Sequence, residues 1–120
     1  MSNTLFDRLG GTEGIARLVD DAIAAHLTNP LVKSRFENVK DMAHTKKMAR
    51  EFFAAGSGGP GAYSGRDMLS THKGMNISEQ EYLATIDDIL GAMKKNELAA
   101  EVQNEVLAIL YSLKGDIIRV

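Results

Sequence analysis

The chain has 120 residues, of which 44% are hydrophobic and 25% are charged, and its formal net charge is −2 at pH 7. These values predict one globular domain over residues 1–120, without the basic surface that nucleic acid would require. The absence of cysteine excludes disulfides, iron–sulfur clusters and thiolate zinc sites. The opening Met1-Ser2-Asn3-Thr4 lacks a signal-peptide pattern, and no apolar run approaches the ~20 residues that span a bilayer. We therefore expect a cytoplasmic protein with no membrane partner.

Two helices are predicted before residue 30. A short helix covers residues 4–9 and ends at Gly10-Gly11, where glycine can adopt the left-handed conformation that closes a helix. Thr12 is expected to cap the second helix, which runs to Asn29. The apolar positions of this second helix recur at helical spacing, namely Ile15, Leu18, Val19, Ala22, Ile23 and Leu27.

The middle of the chain is broken by turn residues. Pro30 leads into a short turn that ends near Phe36, and Asp41 is expected to cap a helix over residues 41–55. Five glycines and a proline exclude a long helix from residues 56–65. The predicted inner face of the 41–55 helix carries Met42, Thr45, Met48, Ala49, Phe52 and Phe53.

Capping-box spacing predicts the remaining helix starts. Ser64 and Asp67 are expected to open a short helix, and Ser78 and Glu81 a long one over residues 78–95. A last helix is expected over residues 96–118. No segment alternates with period two, so the predicted class is all-α, and the broken middle favours a pocket over a solid core. The short helix bears one apolar stripe, made of Met68, Leu69, His72 and Met75.

His72 has two interpretations from its surroundings alone. A histidine on an apolar face needs a partner, and one interpretation is a core histidine bonded to a backbone carbonyl. The other is an axial ligand of haem iron, which needs a single imidazole because the porphyrin supplies four nitrogens. A zinc site is disfavoured because His26, His44 and His72 lie on three segments without ligand spacing. No nucleophile elbow or phosphate-binding loop is present.

An ordered set of short motifs runs along nearly the whole chain. The set consists of Leu9-Gly10-Gly11, Phe36, Asp41-Met42-Ala43, Phe52-Phe53, Gly58-Gly59-Pro60 with Tyr63, Gly65-Arg66-Asp67-Met68, His72 with Gly74, and Ile77. With this set, in this order and spacing, the chain resembles the group I truncated hemoglobins. The resemblance implies a truncated globin, a two-on-two helical sandwich around haem b, with residues 12–29 and 41–55 as helices B and E and residues 78–95 and 96–118 as G and H.

The same resemblance implies roles for individual residues. His72 matches the proximal ligand of the iron, and Phe36 matches the aromatic that wedges against the porphyrin. Phe52 and Phe53 match the aromatics of the pocket and its tunnel. Arg66 matches a partner for a haem propionate, with a solvated helix-start charge as the alternative. Further haem contacts are expected from Thr45, Met48, Ala49, Tyr63, Met68, Leu69, Met75, Ile77, Tyr82 and Ile86.

The chain departs from the family on the distal side of the haem. The tyrosine that usually donates a hydrogen bond to bound oxygen is Ile23 here, a frequent glutamine is Ala49, and the position facing the ligand is Thr45. Losing such a donor costs about 1–3 kcal/mol of oxygen retention. We therefore expect weak O2 retention, a low preference for O2 over CO, and weakened nitric oxide dioxygenase activity.

Other side chains are open alternatives at the distal site. Met48 stands where some relatives carry a sixth iron ligand, and a thioether can fill that role or simply fill the core. His44, one turn earlier, either turns inward or faces solvent. Lys46 and Lys47 either reach over the haem edge or stay solvated, and His26 is expected to be structural. The histidine that links some relatives covalently to haem is Leu113 here, so the haem is expected to be non-covalent.

Three functions follow as hypotheses. The first is a haem b protein that binds O2, NO and CO, for oxygen binding or transport or for nitric oxide or peroxidase-like chemistry. The second is a six-coordinate redox or electron-transfer protein in which Met48 or His44 closes the distal site. The third is a haem-free helical interaction module. The expected partners are the gases and a reductase or other electron donor, and the chain is expected to be a monomer or a weak dimer.

Overall fold

The structure is a computed structural model that describes residues 4–120, which form seven α-helices and no strand. Residues 1–3, on which part of the signal-peptide interpretation depends, lie outside the described residues. The predicted all-α class is confirmed. In chain order the helices are α1 (Leu5–Arg8), α2 (Gly11–Thr28), α3 (Lys33–Glu37), α4 (Met42–Gly56), α5 (Met68–His72), α6 (Glu79–Lys95) and α7 (Ala100–Ser112).

Helix α2 is the centre of the fold. It packs on α3, α4 and α6, while α6 also packs on α7. Neither α4 nor α5 contains a buried residue, although α4 has a clear apolar face. The apolar sides of these two helices therefore line a cavity and are not buried in the core. The tightly packed core lies beside them and is made of residues such as Leu9, Ile15, Leu18, Val19, Met93, Val102 and Val106. No helix within residues 4–120 has the length and apolar character needed to cross a bilayer.

Two of the predicted caps are confirmed. The Asp41 side chain accepts a hydrogen bond from the backbone N–H of His44 at 3.0 Å, which starts α4. Ser78 and Glu81 form the complete capping box at the start of α6, with bonds of 3.0 and 3.1 Å in the two directions. Each cap satisfies backbone donors that a helix start leaves without partners. Helices α4 and α6 line the same cavity, so these two caps help to position the cavity-lining side chains of both helices.

Two other predicted caps are wrong. Gly10, at φ +97°, precedes the first residue of α2, so Thr12 lies inside the helix instead of capping it. Ser64 does not start α5, because its backbone N–H and hydroxyl both donate to Glu51 of α4, at 2.9 and 2.6 Å. Asp67 caps α5 instead, accepting from the N–H of Ser70 at 3.2 Å.

The prediction of one last helix over residues 96–118 is also wrong at both ends. Glu97 adopts φ +60°, which interrupts the helical path before α7. After Ser112 the chain tightens into a 3-10 turn at Lys114–Asp116. It then runs beside the segment before α6, where the N–H of Arg119 donates to the carbonyl of Ile77 at 2.9 Å. The C-terminus thereby supports the linker that follows α5.

Replacing Gly14 with alanine is expected to destabilise the fold by about 2–4 kcal/mol. A Cβ atom at Gly14 would lie 2.2 Å from the carbonyl oxygen of Leu9, a backbone atom that cannot move aside without shifting the α1–α2 corner. Urea denaturation measures the loss. The matched control is Gly91→Ala, also within a helix but with nothing within 4 Å of its Cβ. The control is expected to be neutral or slightly stabilising, and equal losses for the two variants would contradict the steric account.

Candidate functional site

His72 is the last residue of α5, and its ring is fixed by its own helix. Its Nδ1 lies 2.8 Å from the carbonyl oxygen of Met68. Because a carbonyl only accepts, Nδ1 carries the proton and Nε2 keeps a lone pair. This bond by itself suits both interpretations of His72, the core histidine and the metal ligand. The surroundings separate them, because the ring is only half-buried and lines two cavities.

The two cavities adjoin each other and share much of their wall. The inner cavity, of about 220 Å³, lies among α2, α4, α6 and the end of α7, and the outer cavity, of about 300 Å³, lies among α3, α5 and α6. Both have mostly apolar walls, as small-molecule sites usually do. A third space of about 460 Å³, the mouth cavity, opens between α4 and the glycine-rich loop. The residues common to the inner and outer cavities are Phe36, Thr45, His72, Tyr82, Thr85 and Ile117.

Most of the residues predicted from the sequence lie at these cavities. Of those predictions, the inner cavity brings together Ile23, Phe36, Thr45, Ala49, Phe52, Phe53, Met68, His72 and Tyr82. The outer cavity adds Met75 and Ile77, and the mouth cavity adds His44, Met48, Tyr63 and Arg66. Leu69 and Ile86 line none of the three. Leu69 is 43% exposed to solvent, and Ile86 lines a groove between α6 and the C-terminal segment.

Several lining residues were missed by the sequence reasoning. Thr85 follows Tyr82 by one helical turn, and His26 follows Ile23 by the same interval, so helical spacing offered a signal for both. Thr71 follows Met68 by the same interval on α5, so it had this signal too. Val32 and Ile117 had no such signal, because their placement depends on how the turn after Pro30 and the C-terminal segment fold back. Helical period alone does not locate these segments.

Phe36 is positioned from two directions. Its ring stacks on that of His26, with centroids 4.5 Å apart and planes at 23°. The preceding residue, Arg35, ties α3 to α6 through a two-pronged ion pair with Glu81, at 2.6 and 3.2 Å. A five-residue helix has little stability of its own, so this ion pair helps to hold the aromatic wall of the cavity in place.

Replacing Glu81 with glutamine is expected to lower the free energy of unfolding by about 1–2 kcal/mol at pH 7. The hydrogen bond from Arg35 holds the pKa of Glu81 at about 2. The carboxylate therefore adds stability that is complete above its unfolded pKa of ~4.3 and is lost as the pH falls towards 2. Urea denaturation between pH 2 and 7 measures this, and the variant should show a shallower acid loss. Identical pH profiles would contradict the assignment. Glu79→Gln, at an exposed position of the same helix, is the control.

An aromatic chain closes the cavity at the glycine-rich loop. Phe52 makes edge contacts with Phe53 and with Tyr63, at centroid distances of 6.2 and 5.7 Å. The Tyr63 hydroxyl donates to the carbonyl of Arg66 at 2.8 Å. These contacts hold the loop against α4 and bring Arg66 to the mouth cavity. The Arg66 guanidinium could pair there with an acidic group of a bound ligand.

The distal wall of the inner cavity is apolar. Ile23 is 5% exposed and lines it together with Ala49. Thr45 reaches all three cavities, whereas Met48 and His44 line only the mouth cavity. Of the positions where the sequence predicted the distal pocket, the inner cavity therefore receives two apolar side chains, Ile23 and Ala49, and a single hydroxyl, that of Thr45.

The residues present fit haem better than a bare metal ion. Within residues 4–120, no three His, Asp or Glu side chains converge to hold a metal. His72 supplies one imidazole with a fixed tautomer, and a porphyrin would supply the other four nitrogens. The apolar walls suit a flat aromatic ring. Burial raises the pKa of the Tyr82 phenol to about 12, so this wall residue stays uncharged.

Comparisons with known proteins agree with this fit. The bacterial-like globin family matches residues 4–119 of the chain. The group 1 truncated hemoglobin of Tetrahymena pyriformis is 29% identical over 96% of this chain and 94% of its own length. The group 1 truncated hemoglobin of Nostoc sp. (strain MUN 8820) is 29% identical over 97% of this chain and 98% of its own.

The solved structures agree as well. The crystal structure of the Tetrahymena pyriformis truncated hemoglobin, in its Fe(III) form, superposes with a TM-score of 0.93 at 28% identity. It covers 98% of this chain and 100% of that one. The predicted fold, family and cofactor are thereby confirmed. The chain belongs to the bacterial-like globin family, and its similarity to group 1 truncated hemoglobins supports a haem globin that binds small diatomic ligands.

Proposed function

We propose that this globin takes up O2, NO and CO at an open haem iron held by His72, with an apolar distal pocket that retains O2 weakly. The observation that carries the proposal is the inner cavity. His72 and the distal residues Ile23 and Ala49 line the same space of about 220 Å³. Bound haem would supply an iron able to bind diatomic gases, and the chain's own residues would decide which gas stays.

The chain's residues have separate tasks in this proposal. Met68 fixes the His72 ring so that Nε2 is available to the iron. Phe36 and Phe52 line the inner cavity and would exclude water from a cofactor bound there. An apolar cavity of about 20 Å³ shares Phe52, Phe53 and Leu110 with the inner cavity, which suits the passage of small uncharged ligands.

The position of Met48 and His44 supports an open site. Both line the mouth cavity and neither lines the inner cavity, so closing the site would require either side chain to move past Thr45. A six-coordinate redox protein is the alternative that such a movement would produce. A reductase or another electron donor completes the proposal, because binding of O2 or CO requires ferrous iron and the chain has no cysteine to act as a redox-active thiol. Nitric oxide dioxygenase and peroxidase-like reactions remain proposals for the same site.

Absorption spectra of the dithionite-reduced protein, with and without CO, test this proposal. A five-coordinate ferrous spectrum is expected, with a CO binding rate that rises linearly with CO concentration because no ligand must first leave. A six-coordinate, low-spin ferrous spectrum would contradict an open site. Met48→Ala and His44→Ala would then identify the internal ligand, because only the responsible substitution would restore the five-coordinate form.

A further inference from the structure

His26 is a second histidine at the inner cavity, and its ring is held from two sides. The residue is 4% exposed and lines the same space as His72. Its Nδ1 lies 2.8 Å from a carboxylate oxygen of Asp88 on α6. The side-chain amide of Asn29 donates to both oxygens of Asp88, at 3.1 and 3.2 Å. With Phe36 stacked on one face, the ring has little freedom to turn.

These contacts determine which ring nitrogen carries the proton. The Asp88 carboxylate only accepts, so Nδ1 donates to it and Nε2 of the neutral ring has a lone pair. Within residues 4–120, Nε2 has no hydrogen-bond partner, and it is not sealed in the protein interior. Because the ring is part of the cavity wall, we infer that this lone pair faces the ligand space. A held imidazole with an open Nε2 is the arrangement of a general base.

Burial, and not the nearby charge, leaves the His26 ring neutral at pH 7. Burial lowers the pKa of the imidazole, while Asp88 acts to raise it. The elements packed on α2 add little further charge. Arg35 of α3 is paired with Glu81 of α6, and Lys46 of α4 is paired with Asp20 of α2 at 3.2 Å. As a hydrogen-bond acceptor, Nε2 of His26 does not stabilise bound O2, because bound O2 needs a donor. It can instead accept a proton from a ligand that binds in its protonated form.

We propose that His26 is the acid–base residue of the ligand cavity, accepting the proton of protic ligands such as hydrogen cyanide or hydrogen peroxide as they bind. This inference rests on the proposed haem site. For hydrogen cyanide the H–C bond breaks, the proton moves to Nε2 of His26, and the electron pair stays on carbon, which binds ferric iron. For hydrogen peroxide the proton moves in the same way and leaves a hydroperoxide anion as the ligand. Asp88 is a positioning residue that acts through the ring.

The association rate of cyanide with the ferric holoprotein at pH 7 tests the proposal, since cyanide is almost wholly protonated there. His26→Gln is expected to slow cyanide association by ~100-fold, a factor typical of the loss of a positioned general base. Asp88→Asn should also slow it, because the new amide can donate to Nδ1 while Asn29 bonds to its oxygen, which moves the ring proton to Nε2. Asp87→Asn changes the neighbouring, exposed carboxylate of α6 and should leave the rate unchanged.

A second readout separates positioning from simple damage. With its proton on Nε2, the ring of Asp88→Asn becomes a donor, and O2 dissociation from the ferrous protein should slow by ~5–10-fold. Damage to the pocket would instead speed O2 loss. Cyanide rates within twofold of wild type in haem-bound His26→Gln and Asp88→Asn would overturn the inference while leaving the proposed function intact. If His26→Gln loses haem, Asp88→Asn decides the inference. A wild-type protein that takes up no haem would overturn both.

Discussion

His72→Gly is expected to release haem at least ~100-fold faster than the wild type, equivalent to about 3 kcal/mol of binding free energy. The substitution removes the imidazole while the apolar walls of both cavities remain. The remaining contacts are therefore expected to retain haem only weakly. Transfer of haem to an excess of a scavenging apoglobin, followed by absorption, gives the rate. The expected size is large because the neighbouring residues of α5, which are Met68, Leu69, Ser70 and Thr71, contain no second imidazole.

Free imidazole should rescue this variant. Glycine leaves a space at position 72 into which imidazole can enter, so millimolar imidazole is expected to slow haem release and to restore the wild-type ferrous spectrum. Lys73→Ala changes the exposed residue next to it and should release haem at the wild-type rate. A His72→Gly protein with unchanged haem release and spectra would show that another residue holds the iron.

Ile23→Tyr is expected to slow O2 dissociation by ~10–100-fold, because a phenol donor stabilises a polar bound ligand by about 1–3 kcal/mol. Ile23 is buried on α2 and lines the inner cavity, so a longer side chain there points into the ligand space. Carbon monoxide is less polar and should be affected much less. The preference for O2 over CO, low in the wild type, should rise accordingly. Stopped-flow displacement of O2 by CO measures the rate.

Ile23→Phe separates hydrogen bonding from size. It adds the same ring without the hydroxyl and should leave O2 dissociation near the wild-type rate or faster. Equal slowing by the tyrosine and phenylalanine variants would mean that steric trapping, not donation, controls O2 loss. Slow O2 dissociation in the wild type itself would contradict an apolar distal pocket.

The helix starts show why some local features were predictable from the sequence. Ser78 and Glu81 cap α6 as expected, because both partners of the box lie within the same turn and nothing else competes for them. Ser64 also had capping-box spacing, with Asp67, but Glu51 of α4 takes both of its donors. A cap depends on local spacing only where no residue distant in sequence offers a better bond.

The inner cavity likewise combines features that were predicted with features that depend on contacts between distant elements. The family resemblance predicted Ile23, Ala49, Phe52 and Met68 at one pocket, and all four line the inner cavity, from α2, α4 and α5. His26 also lines this cavity, and the sequence favoured a structural role for it. Its bond to Asp88, 62 residues away, and its stacking on Phe36 depend on how α2, α3 and α6 meet. Such contacts between distant elements follow from tertiary packing, which helical spacing does not specify.

Nε2 of His72 is expected to bind the haem iron, with Nδ1 held by the Met68 carbonyl. The most direct test is the resonance Raman spectrum of the reduced, ligand-free protein, recorded with natural and nitrogen-15-labelled histidine. We expect an iron–imidazole stretching band that shifts on labelling and is absent from His72→Gly until imidazole is added. A haem-bound wild-type protein without such a band, or with a band that persists in His72→Gly without imidazole, would contradict this expectation.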